Sequence, residues 1–93
     1  MLKLGIQLPI SIFREDEHYI AYTPVLDLST SAKSYEEVKK RFHEVVAIFF
    51  EELIKKDTLE EVLMDLGWKK VDKKWTPPTL ISQESEKFEL AVK

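Results

Sequence analysis

A stripe of apolar side chains spaced three and four residues apart predicts one long amphipathic helix over residues 34–56. At 3.6 residues per turn these positions share one side of the helix, which can then pack against a sheet. Ser34 predicts the start, because its hydroxyl can accept from the Glu37 amide while the Glu37 carboxylate reaches back to the Ser34 amide. The stripe consists of Tyr35, Val38, Phe42, Val45, Val46, Phe49, Phe50 and Leu53.

Three segments before this helix alternate between apolar and polar residues, which is the period of a half-buried strand. The first covers residues 2–12, where Pro9 cannot donate to a ladder, so we expect a free edge or a bulge there. The charged residues 14–17 predict a turn. The second strand covers residues 18–22, and the third covers residues 26–33 and leads directly into the helix cap.

The chain after residue 56 predicts a second, shorter helix and further extended structure. Thr58 and Glu61 repeat the capping-box spacing, and Gly67 stands where a left-handed residue would end this helix. Residues 68–75 have tryptophan at both ends and a polar middle, which predicts a short hairpin or meander. Residues 86–92 alternate again and are a candidate last strand, which would need a sheet edge to pair with.

These elements predict a single α+β domain of order β-β-β-α-(α)-β. Its antiparallel sheet of three to four strands is covered on one face by the long helix. Residues 1–56 hold the core strands and helix, residues 57–76 the short helix and the tryptophan-flanked basic stretch, and residues 77–93 a tail with the candidate last strand. A chain of 93 residues suffices for one hydrophobic core but not for two.

Composition narrows the classes of function. The net charge of −3, from 14 basic and 17 acidic residues, disfavours broad nucleic-acid binding through phosphate contacts. The absence of cysteine rules out disulfides and thiolate metal sites. No apolar run approaches the roughly 20 residues of a membrane span, and the first residues do not resemble a secretory signal. We therefore expect a cytoplasmic protein with no membrane association.

Between Tyr19 and Val46, six residues follow a recognisable pattern without a gap: an aromatic residue shortly before a proline, a leucine, a polar helix cap and a helix that opens with two glutamates. In this order and spacing the chain resembles the HicB-like antitoxin family. The block covers about a third of the chain. The matching residues are Tyr22, Pro24, Leu28, Ser34, Glu36 and Glu37.

The resemblance implies a truncated ribonuclease H-like fold without the acidic metal-binding group of the enzyme. It also implies a non-catalytic module that neutralises a small basic toxin that cleaves messenger RNA, or a solitary relative of such a module. Ala32 and Lys33 stand where the family usually has glycine and an acidic residue. The region after residue 56 differs from the DNA-binding segments of many members, so direct DNA binding is not carried over.

Two alternatives to this function remain open. Asp16, Asp27 and Glu37 could hold a divalent ion in a small nuclease-like enzyme, although their spacing does not require it and capping already accounts for Glu37. His18 and His43 lack a third ligand at helical spacing. The sequence therefore predicts no catalytic, metal-binding or cofactor-binding residue. The second alternative is a purely structural homo-oligomer.

Four aromatic residues are candidates for a partner interface: Phe49, Phe50, Trp68 and Trp75. The tryptophans and the lysines between them could stack on single-stranded RNA, but two aromatic residues and an acidic chain fit that function poorly. The simpler interpretation is that the tryptophans pack over the end of the core while the lysines stay in solvent. A protein interface is the intermediate interpretation, because aromatic residues beside charged ones are common at such interfaces. Phe49 and Phe50 point about 100° apart on the helix, so one of them can face a partner, and we predict a homodimer contact there.

Overall fold

The computed structural model describes residues 6–92, and the predicted long helix lies at its centre. Helix α1 spans Tyr35–Lys55. Ser34 caps it, since the Ser34 Oγ accepts from the Glu37 amide at 3.1 Å, and this confirms the predicted start. The Glu37 carboxylate turns to Arg41 instead of reaching back to the cap, with 3.1 Å between Oε1 and Nη2.

Three antiparallel strands lie in the order β1-β2-β3, and α1 covers one face of their sheet. The strands are β1 (Ser11–Glu15), β2 (His18–Thr23) and β3 (Leu28–Ala32). The register pairs Phe13 with Ile20 across the first ladder and Ala21 with Thr30 across the second. The predicted α+β class and the one-sided cover of the sheet are confirmed.

The first strand lies later in the chain than predicted. Residues 2–5 of the predicted strand lie outside the described residues, and residues 6–10 are not in a strand. Pairing begins at Ser11, opposite Tyr22, and continues to Glu15, opposite His18. The register places Thr23, the last residue of β2, opposite Ile10, so the ladder stops one residue before β2 ends. Pro9 has no amide hydrogen to donate, which disfavours extending the ladder back through residues 6–10.

The third strand begins at Leu28 and not at residue 26, because residues 24–27 form a turn. The Asp27 amide donates to the Pro24 carbonyl at 3.3 Å, and Asp27 adopts a positive φ of 50°. Val25 and Leu26 in this turn are buried. The apolar positions that predicted a strand there are core contacts of a turn.

Helix α2 (Leu59–Asp65) follows, and its end agrees with the prediction whereas its start does not. The Thr58 side chain makes no capping hydrogen bond, so the predicted second capping box is wrong. Gly67 has φ +88° as predicted. The Gly67 amide donates to the Met64 carbonyl at 3.0 Å and the Trp68 amide to the Leu63 carbonyl at 2.9 Å, which is the Schellman pattern.

A short hairpin follows α2, as predicted, with β4 (Lys69–Val71) paired to β5 (Lys74–Thr76). The two-residue turn has φ 49° at Asp72 and 65° at Lys73. Positive φ at both positions is typical of a type I′ turn, whose twist matches that of the paired strands. This hairpin forms a sheet of its own, separate from β1–β3.

The core consists of two clusters that meet at Val46, a residue of α1 that packs against both. One cluster lies between α1 and the sheet. The other is formed by the β2–β3 turn, α2 and Trp68, which lies three residues beyond the end of α2. The first contains Ala21, Ala32, Val38 and Phe42, and the second contains Val25, Leu26, Leu63 and Trp68.

Residues 77–92 contain no helix or strand, so the candidate last strand over residues 86–92 is not formed in the described chain. Every residue from 78 to 92 is exposed, including Phe88, Leu90 and Val92 at 78%, 82% and 87%. The alternation is present, but no strand of residues 6–92 lies alongside it. Neither described helix is long and apolar enough to cross a lipid bilayer.

Candidate protein-binding surfaces

Trp68, one of the four aromatic residues predicted at an interface, lies in the core. Its side chain is buried, with 3% of the residue exposed. The indole Nε1 donates to the Val25 carbonyl at 2.8 Å, which ties the hairpin region to the β2–β3 turn. This burial supports the interpretation in which Trp68 covers the end of the core.

The other three aromatic residues are half-buried and pack against the core cluster that contains Trp68. The Phe49 and Phe50 rings meet edge to face at 5.6 Å between centroids, and Phe50 meets Trp68 in the same way at 6.2 Å. The Lys70 ammonium lies 5.7 Å from the Trp75 ring centroid. The structure therefore brings all four residues into one cluster, and contact of its half-exposed members with a partner stays a prediction.

Tyr22, Pro24 and Leu28 of the family pattern lie around the β2–β3 turn. The Tyr22 hydroxyl donates to the Asp27 Oδ1 at 3.3 Å. Desolvation raises the pKa of Tyr22 above its ordinary value of 10.0, and the charge of Asp27 and this hydrogen bond raise it further. Pro24 starts the turn and Leu28 packs against the second core cluster.

The remaining residues of the pattern, Ser34, Glu36 and Glu37, begin α1. Ser34 supplies the cap, and the two glutamates place negative charge in the first turn, where the helix dipole favours it. The six residues therefore lie along one continuous run of strand, turn, strand and capped helix.

The structure does not bring together the three carboxylates of the enzyme alternative. Asp16 lies in the β1–β2 turn and Asp27 in the β2–β3 turn, at opposite ends of a strand that is about 20 Å long. Glu37 pairs with Arg41 on α1. Among residues 6–92, no three side chains of His, Cys, Asp or Glu are grouped closely enough to hold a metal ion.

The sheet face opposite α1 carries an apolar group that the sequence interpretation did not identify. Ala21 and its cross-strand neighbour Ile12 pack towards α1, so Phe13, Ile20 and Tyr22 point to the other side. Phe13 is 58% exposed and lies directly opposite Ile20. We call these three residues the open face. Adjacent apolar residues at positions 12 and 13 were the available signal, because they indicate apolar side chains on both faces of β1.

An open groove of about 880 Å³ lies between α1 and the segments 6–10 and 76–80. A smaller depression continues it between β1 and α1, since both share Ile10, Phe42 and His43. Neighbouring segments in space form this groove, so no pattern along the chain could have indicated it. Its apolar lining includes Ile6, Leu8, Ile10, Phe42, Val46 and Leu80.

Comparison of the chain with protein-family models, with curated proteins and with solved structures finds no match. The structure itself offers three places where a partner could bind: the aromatic cluster, the open face and the groove beside α1. The likeness to HicB-like antitoxins stays a prediction from the residues of the block between Tyr19 and Val46.

Proposed function

We propose that this chain is a non-catalytic protein-binding module of the HicB-like antitoxin kind. Its role would be to cover the surface of a small basic toxin that cleaves messenger RNA. The resemblance between Tyr19 and Val46 supports the proposal. Further support comes from the fold of that block, which has the strand, turn, strand and capped-helix order that the family pattern implies.

The open face is the single observation that carries the proposal. Phe13 exposes 58% of its surface on the sheet face opposite α1, so this aromatic side chain is not part of the hydrophobic core. Covering a fully exposed phenylalanine contributes about 1.5–3 kcal/mol, so covering the exposed part of Phe13 contributes roughly 1–2 kcal/mol. Large aromatic side chains next to apolar neighbours are typical anchors of protein interfaces.

The charge of the chain favours a basic partner. The net charge is −3, and exposed carboxylates lie on both helices, including Glu51, Glu52, Glu60 and Glu61. A negative surface attracts a basic protein at long range and accelerates its association. Because salt screens this attraction over about 8–10 Å, the association rate should fall as ionic strength rises.

Co-expression with the product of a small reading frame next to the gene for this chain, where the genome has one, tests the proposal. We expect a basic toxin to co-purify with the tagged chain, and cells that express both to grow where cells that express the toxin alone do not. Failure to co-purify, together with failure to restore growth, would contradict the proposed function.

A pair of matched substitutions locates the interface. Phe13→Ser should weaken capture of the toxin about tenfold or more, since tenfold corresponds to only 1.4 kcal/mol. Met64→Ser, on α2 and similarly exposed at 61%, should leave capture unchanged. If Trp75→Ala abolishes capture while Phe13→Ser does not, the aromatic cluster is the interface and the assignment to the open face is wrong.

A further inference from the structure

Residues 86–92 have the sequence pattern of a strand but form none and stay exposed in the described chain. Phe88, Leu90 and Val92 alternate with Lys87, Glu89 and Ala91, and all of them are exposed. The radius of gyration is 16.1 Å, whereas a compact chain of this length has about 12 Å, as expected if a segment extends from the body. Such a segment needs a sheet edge and an apolar site.

Of the two edges of the main sheet, that of β1 is the more open. On the β3 side, Arg41 of α1 reaches over the edge, and its Nη1 donates to the Ser31 carbonyl at 2.8 Å. Within residues 6–92, no strand pairs with the outer side of β1. Proline and lysine, which often protect edge strands, are both absent from β1.

An apolar site lies directly beside this open edge. The groove along α1 continues between β1 and the helix, where Ile10, Ile12 and Phe42 line it. Lys39 and His43 of α1 also border this part. Residues 84–92 carry three glutamates and one lysine, so their charge complements a basic border.

We propose that residues 86–92 form a strand only between two copies of this chain. The segment of one copy adds antiparallel to the outer edge of β1 of the second copy. Phe88, Leu90 and Val92 enter the groove between β1 and α1, while Lys87 and Glu89 face solvent. The fourth strand predicted from the sequence is thus supplied by the partner copy.

The position of the segment explains why the partner is a second copy and not the same chain. The Gln83 Nε2 donates to the Ser11 Oγ at 2.8 Å, so the segment starts beside the first residue of β1. Following its own β1 from there would produce a parallel pair, which is the less stable arrangement. A copy related by a two-fold axis can present β1 antiparallel, and both copies then exchange segments at once. This inference does not depend on a toxin.

Sedimentation of the whole chain tests the exchange. We expect the wild-type chain to change from monomer to dimer between low micromolar and several hundred micromolar concentration. Phe88→Asp combined with Leu90→Asp should weaken this association at least about tenfold, because both side chains leave the groove. Ile81→Asp, equally exposed but outside the proposed strand, should associate like wild type. Helical circular dichroism checks that each variant is folded.

A mixing experiment separates exchange from simple apolar adhesion. Ile10→Asp damages the groove but keeps the segment, whereas the Phe88→Asp/Leu90→Asp chain keeps the groove. Each variant alone should be monomeric, and the mixture should form a heterodimer through one intact contact. A wild-type chain that stays monomeric throughout, a double variant that still associates, or a mixture that fails to associate would each overturn the proposal.

Discussion

Residues 28–32 and 86–92 alternate apolar and polar side chains in the same way, yet only the first segment is a strand. β3 pairs with β2 along its whole length, and α1 covers its inner face, so Ala32 is buried. Phe88 in the second segment is 78% exposed, and no strand within residues 6–92 lies beside it. Alternation therefore shows that a segment has an apolar face, and the neighbours available in space decide whether that face is covered.

The largest expected difference is in the stability lost when a phenylalanine is removed from the core or from residues 86–92. Phe42→Ala removes a buried side chain between α1 and the sheet, so the free energy of unfolding should fall by about 3–5 kcal/mol. Phe88→Ala should change it by less than about 0.5 kcal/mol when single copies are unfolded in denaturant at low protein concentration. Similar losses for both variants would show that residue 88 is buried in the single chain.

The two tryptophans provide a second comparison, because they flank the same basic stretch and differ in burial. Trp68→Phe leaves the buried Val25 carbonyl without its donor and should cost about 2 kcal/mol in denaturant unfolding. Trp75→Phe should cost less than about 1 kcal/mol, since that ring is half-exposed. Equal costs would contradict the assignment of Trp68 alone to the core.

The two predicted capping boxes form a third pair with a smaller difference. Ser34→Ala should cost about 1 kcal/mol of stability, because the Glu37 amide loses its acceptor. Thr58→Ala should cost less than about 0.5 kcal/mol, since the Thr58 hydroxyl makes no capping bond. Thermal unfolding of both variants against wild type measures this, and a larger loss at Thr58 would contradict the observed caps.

The smallest effect is expected at Tyr22, at the turn that leads into β3. The folded chain raises the pKa of this hydroxyl, so it binds the proton more tightly than the unfolded chain does. Stability should therefore fall as pH rises past about 10. Tyr22→Phe should remove this contribution, so its deficit relative to wild type should shrink between about pH 8 and pH 11 in denaturant titrations. A deficit that grows with pH would contradict the direction of the shift.

Local signals in the sequence were sufficient for most of the fold. The cap at Ser34 and the apolar stripe predicted α1, and Gly67 predicted the end of α2, because each feature depends on residues within one or two turns. The predicted start of β1 was wrong because alternation continues before Ser11, whereas pairing with β2 begins only at Ser11 and Pro9 cannot donate to a ladder. The prediction of a strand over residues 86–92 failed for a related reason, because a strand must pair with a sheet edge and no local pattern specifies that edge.

The candidate surfaces were harder to predict than the fold. Phe49, Phe50, Trp68 and Trp75 were predicted as separate interface candidates, and neither their grouping nor their different burial was predicted, because both depend on α2 and the β2–β3 turn. The exposed Phe13 was not predicted, because the alternation in the first strand was taken to mean that only one of its faces is apolar. The groove beside α1 joins three segments that are distant in sequence, so it emerges only from their packing.

The central claim is that residues 86–92 form a strand only when a second copy binds. Amide hydrogen exchange of this segment, measured as protein concentration rises, tests it most directly. The account predicts fast exchange in the dilute chain and strong protection in the concentrated one, accompanied by new protection of the amides of β1. Exchange that stays fast at every concentration, while the chain associates through another surface, would contradict it.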